Sequence, residues 1–111
     1  MTDAEKLTRL KILLNPQGDE EIPSDEVLLE YLAISSAEVL NWLYIRTSVP
    51  EGAEVPAEWE NVQIMAVVAA VNITGAEGET LHIENGTHRV FKYDDLIAYI
   101  RAHIHPYVSI A

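Results

Sequence analysis

Apolar residues recur with the period of a helix in four places along the chain. In residues 3–14, Leu7, Leu10, Leu13 and Leu14 fall at helical spacing. Asn15-Pro16 ends that run, because a residue before proline avoids the helical region. Ser24 suits the cap of a second helix over 24–46, with Asp25 and Glu26 at its positive end and Arg46 at its negative end. Leu28, Tyr31, Leu32, Ser35, Val39 and Trp42 form the stripe of that helix. Pro56 suits a first helical position, and the spacing predicts a third helix over 56–74. A fourth over 94–105 carries Leu96, Tyr99, Ile100 and Ile104 on one side and stops at His105-Pro106. Polar linkers, PQGDEEIP and TSVPEGAEVP, separate the first three.

The third segment differs from the others. From Val62 to Val71 only Gln63 is polar, so this helix is apolar nearly all round. Its β-branched residues would suit a strand, but its length favours a helix. Two readings follow: it is the central helix of the core, or its surplus face packs on another subunit. Gly75 is a natural helix stop. Residues 75–92 then hold three of the five glycines, and Asn85-Gly86 signals a hairpin. A two-residue turn there pairs Ile83 with His88 and Leu81 with Val90. The expected fold is therefore mainly α. It is one small four-helix domain over 1–111, with a long loop or β-hairpin arm between helices 3 and 4 and a tail at 106–111.

Charge narrows the function. Eighteen acids against seven bases give a formal net charge of −11 over 111 residues. Such a surface repels DNA phosphate and anionic membranes. It does not exclude a protein that surrounds DNA without gripping it. With no cysteine, disulfides, thiol catalysis and thiolate metal sites are excluded. The charged start, MTDAEKLTRL, has no signal-peptide core, and the longest apolar stretch is about half a membrane span. A protein made in the cytoplasm, with no membrane partner, is expected.

The glycine-bearing segment invites chemical readings, and each fails on its residues. A phosphate loop needs lysine after its last glycine, whereas Gly78 is followed by Glu79-Thr80. His82, Glu84 and His88 are close in sequence, but the hairpin register sends His82 and His88 to opposite faces. His103 and His105, two apart, do not share one helical face. Glu77 or Glu79 could act as an acid or base, yet no nucleophile accompanies them. No catalytic, cofactor-binding or metal-binding residue is assigned, and no enzyme is expected. Recognition remains: acids at glycine corners followed by Arg89 can reach a neighbouring chain through charge-assisted bonds. Two rivals stand beside this reading. One is a small acidic inhibitor or DNA mimic, although such a protein clusters its acids and here they run from Asp3 to Asp95. The other is a metal-dependent enzyme using His82 and His88.

The ordered set LKILLN, SDEVLLEYLAISSAEVLNWL, VPAEWENVQIMAVVAAVN, GAEGE, ENGTHRVF and a last helix ending in HPY covers most of the chain. It resembles the head–tail connector proteins of long-tailed bacteriophages, also called head-completion or adaptor proteins. Here GAEGE leads into apolar TLHI, and the tail YVSIA is apolar where relatives are often basic. The resemblance implies a structural virion protein, made in the host cytoplasm and seated beneath the portal at the neck. It implies a ring of about twelve copies, a dodecamer. It further implies a portal protein on one side, the next neck or tail-completion protein on the other, and genomic DNA passing through the channel without sequence-specific binding. Carried onto this chain, the portal interface falls on His105, Tyr107, Val108 and Ile110. The inter-subunit interface falls on Glu77, Glu79, Glu84 and Arg89. Acids lining such a channel would let DNA slide rather than stick.

Overall fold

The computed structural model describes residues 1–18, 21–74 and 88–108. These residues form four helices and a two-stranded antiparallel ribbon. The elements are α1 Asp3–Leu14, α2 Asp25–Leu43, α3 Glu60–Ala70, β1 Val71–Thr74, β2 His88–Phe91 and α4 Tyr93–His103, with a 3-10 turn at Ala57–Trp59 leading into α3. The architecture is mainly helical, and the ribbon lies between α3 and α4 in chain order.

Caps fix the first two helices. The Thr2 hydroxyl accepts from the Glu5 amide at 3.1 Å, and the Glu5 carboxylate accepts from the Thr2 amide at 2.7 Å. This reciprocal pair satisfies two of the free donors at the helix start. The same bond from the Thr2 amide, with smaller help from its hydroxyl, holds the Glu5 carboxyl below its ordinary value. On α1, Lys6, Leu10 and Leu14 are buried, while Leu13, expected in the apolar stripe, is exposed. Ser24 caps α2 through the Val27 amide at 3.3 Å. An ion pair of 3.0 Å between Lys11 and Asp25 lays the end of α1 beside the start of α2. The loop into α3 turns at Pro50–Ala53, where Gly52 takes φ +75°, a conformation that β-carbon-bearing residues avoid.

Three helix limits differ from those expected. Helix α2 closes at Leu43 rather than 46, where the Tyr44 amide still bonds back to Leu40 before the chain turns away. Helix α4 spans 93–103 rather than 94–105. The third correction is the largest. The segment 56–74 is not one helix: it opens as a 3-10 turn, is α-helical only over 60–70, and continues as strand β1. In β1, Val71 lies opposite Phe91, Asn72 opposite Val90, Ile73 opposite Arg89 and Thr74 opposite His88. The expected partners of Val90 and His88 were Leu81 and Ile83, which lie outside the described residues. A backbone bond of 2.8 Å from the Lys92 amide to the Ala70 carbonyl closes the ribbon at its root.

Helix α3 is the centre of the molecule. It packs on α1, α2 and α4, and beyond Asn61 none of its residues is exposed. Its cover therefore comes from the same chain. The core joins Leu10, Leu28, Leu43, Ile64, Val67, Leu96, Ile100 and Ile104, each at most 2% exposed. Fully burying such a side chain contributes roughly 2 kcal/mol. One polar chain crosses this core. Gln63, 1% exposed, donates to the Leu32 carbonyl at 3.0 Å and the Ser35 hydroxyl at 3.1 Å. Its carbonyl accepts from the Lys6 ammonium at 2.7 Å, and Lys6 lies 3.6 Å from the buried Glu60 carboxylate. One glutamine thus ties α1, α2 and α3 with its polar atoms paired, as burial demands.

Candidate interface

The expected portal-facing residues lie on a tail that runs out of α4. Helix α4 ends where Ile104 turns extended, with φ −119° and ψ 134°. Pro106 then prevents return to a helix. Two bonds hold the tail against the end of α2. The Trp42 indole donates to the Ile104 carbonyl at 2.7 Å, and the Tyr107 amide donates to the Leu43 carbonyl at 2.9 Å. The second satisfies one of the carbonyls that a helix end leaves without a partner.

Rings reinforce these bonds. Tyr107 meets Tyr44 edge-on, with centroids 5.1 Å apart. The Arg101 guanidinium lies 4.9 Å from the centre of the Trp42 ring, within cation–π range. His103 stacks on Tyr99 at 4.0 Å, and its Nδ1 lies 2.9 Å from the Tyr99 carbonyl oxygen. Partial desolvation, with smaller effects from Tyr44 and Glu58, pushes the Tyr107 phenol above its ordinary value. The tail is anchored but not covered. Val108 is 74% exposed, Tyr107 39% and the adjacent Ile45 51%, and His105 is also exposed. The structure thus brings the tail that carries His105, Tyr107 and Val108 against Leu43 and Tyr44, next in the chain to Ile45. Ile110 lies outside the described residues.

The expected inter-subunit residues belong to the arm. Glu77, Glu79 and Glu84 lie outside the described residues, as does His82 of the metal reading. Arg89 is placed by its backbone in the middle of β2, opposite Ile73. Rings tie the root of the arm to α2: Phe91 stacks on Tyr31 at 4.2 Å with an interplanar angle of 11°. At the first residue of α4, the exposed Tyr93 hydroxyl donates to Glu38, and this bond raises the phenol's pKa. The ribbon is therefore tied to α2 at Phe91.

Sequence reasoning missed the residues that seat the tail. It assigned Trp42 to the core or an interface without giving its N–H a partner, and it gave Arg101 no role. The signal was present: a partly buried tryptophan needs an acceptor. It also left Gln63 unassigned, although a lone amide in an apolar run must find partners once that run is buried. Among the described residues, no three of His, Asp and Glu converge to hold a metal ion. No helix among them is long and apolar enough to cross a membrane.

A protein-family model described as phage gp6-like head–tail connector protein matches residues 4–107. No curated protein and no solved structure matches the chain significantly.

Proposed function

The chain belongs to the phage gp6-like head–tail connector family, and on that premise we propose that it forms a ring beneath the portal, extends the DNA channel and gives the tail machinery its landing surface. A connector of this family is a virion component that associates with portal and tail proteins. The finer reading is of a dodecamer with the portal at the tail end of each copy. The next neck or tail-completion protein sits on the opposite side. Its role is assembly rather than catalysis.

The observation that carries this reading is the anchored yet uncovered end formed by Ile45, Tyr107 and Val108. Two backbone-directed bonds and a ring contact hold the tail in place. Ile12, Leu13, Val27 and Leu29 are exposed as well, so what supports docking at this end is that its apolar side chains sit on a tail held in place by those bonds. Net charge supports the channel: copies of −11 arranged in a ring form an acidic collar that repels phosphate and lets DNA slide. A fixed root supports an arm that reaches the next copy, through Glu77, Glu79, Glu84 and Arg89.

Native mass measurement of the chain, alone and mixed with the portal protein of the same phage, tests the reading. A ring-sized species that contains portal is expected. A chain that stays monomeric with portal, and is missing from the necks of assembled particles, overturns it. Arg89→Ala should weaken ring or neck assembly while the monomer stays folded. Normal assembly of that variant would remove Arg89 from the interface.

A further inference from the structure

The acids are unevenly placed. Residues 39–50 and 96–108 contain no aspartate or glutamate, in a chain with eighteen acids against seven bases. These two stretches are far apart in sequence, yet they meet in space. Trp42 bonds to Ile104, Arg101 covers Trp42, and Tyr107 bonds to Leu43 and meets Tyr44. Their meeting gathers two acid-free stretches, which carry Arg46 and Arg101, on one surface, the tail pole, of a chain that is acidic as a whole. Arg101 is exposed there over Trp42, and Arg46 is exposed two residues after Tyr44, which meets Tyr107; Ile45, Tyr107 and Val108 are exposed as well. Neither arginine forms an ion pair among the described residues. Glu58 is the acid that acts on the rim, through the Tyr107 phenol.

We propose that this pole binds an acidic segment of the partner protein that also bears apolar side chains, the arginines taking its carboxylates and Ile45, Tyr107 and Val108 its apolar groups. The inference rests on the proposed function, in which the partner at this end is the portal protein. Charge complementarity selects the occupant. A basic pole on an acidic protein steers toward itself only partners whose contact surface is acidic. DNA fits less well. Phosphate binding depends on many cations acting together, whereas two arginines on a chain of −11 offer few. Three exposed apolar side chains also gain nothing from phosphate.

The test is equilibrium binding of the chain to the purified portal protein, from about 0.05 M to about 0.5 M salt. Arg46→Glu, which removes no hydrogen bond or ion pair among the described residues, should weaken binding about tenfold, and Arg46→Glu with Arg101→Glu further. Lys92→Glu makes the same charge change at an exposed site at the other end of α4 and should leave affinity within about twofold. Added salt should weaken the wild type and narrow its gap to the variants. Poly-glutamate should compete with the portal protein, and a short DNA duplex should not.

Equal affinity of Arg46→Glu and wild type overturns the acidic-partner inference and leaves the docking site standing. Wild-type chain that does not bind the portal protein at all overturns both. Competition by DNA, or loss of self-association with portal binding intact, assigns the pole to phosphate or to a second copy and overturns the proposal.

Discussion

The junction of α1, α2 and α3 and the pole where α2 meets the tail are built on opposite terms. At the junction, Lys6, Glu60, Gln63 and Ser35 are buried and bonded to one another. At the pole, Ile45, Tyr107 and Val108 are exposed beside Arg46 and Arg101. Buried polar groups that are fully paired mark a contact finished within one copy. Anchored apolar groups left in water, near arginines that form no ion pair among the described residues, fit a contact that a second molecule completes. Helix α3 belongs to the first kind, although its apolar run alone left open both a central place in the core and a face against another subunit.

The comparison can be broken most sharply at the junction. Gln63→Leu removes the closest acceptor of the buried Lys6 ammonium, leaving it Glu60 at 3.6 Å, and a donor to the Ser35 hydroxyl, which keeps its bond to the Leu32 carbonyl; it should lower stability by about 2 kcal/mol. Urea unfolding reads this directly; a loss under about 1 kcal/mol would mean that the network is not closed as described. The seat of the tail comes next. Trp42→Phe removes the bond to Ile104 and weakens the face under Arg101, for about 1 kcal/mol. Hydrogen exchange at the Tyr107 amide should quicken in that variant, and an unchanged rate would show that the tail is held by other contacts.

A smaller effect appears at high pH. The folded Tyr107 phenol titrates above the ordinary tyrosine value of 10.0. A group raised on folding stabilises the folded state below its unfolded value, and that contribution is lost as pH rises through the folded one. The phenolate absorbance that disappears in Tyr107→Phe should therefore have its midpoint above 10.0; a midpoint at or below it would place the ring in open water. Val108→Ser should change stability least, within about 0.5 kcal/mol, because the side chain touches mainly solvent. The same variant should nonetheless bind the portal protein less tightly, and unaltered binding would take Val108 out of the interface.

Much of this fold was legible because it is local. Thr2, with Glu5 three residues on, sets the start of α1, and Ser24 sets that of α2. The 3.6-residue stripes of α2 and α4 point at the core that forms. The end of α3 was not legible. Val71, Asn72, Ile73 and Thr74 continue an apolar run, and they become a strand because residues 88–91 lie beside them, a pairing that local periodicity does not contain. The tail was legible in kind, as apolar residues with no evident cover. Its position was not, since Trp42 and Ile104 are 62 residues apart in sequence. The basic pole was hidden for the same reason: each acid-free stretch is unremarkable until the two meet.

Amide hydrogen exchange on the chain, free and then bound to the portal protein, decides whether the tail and the end of α2 form the docking surface. New protection is expected at residues 43–48 and 101–108, which carry the exposed apolar groups and the two arginines, with α1 unchanged. Protection confined to α1 and the start of α2, with the tail exchanging as fast as before, would contradict it.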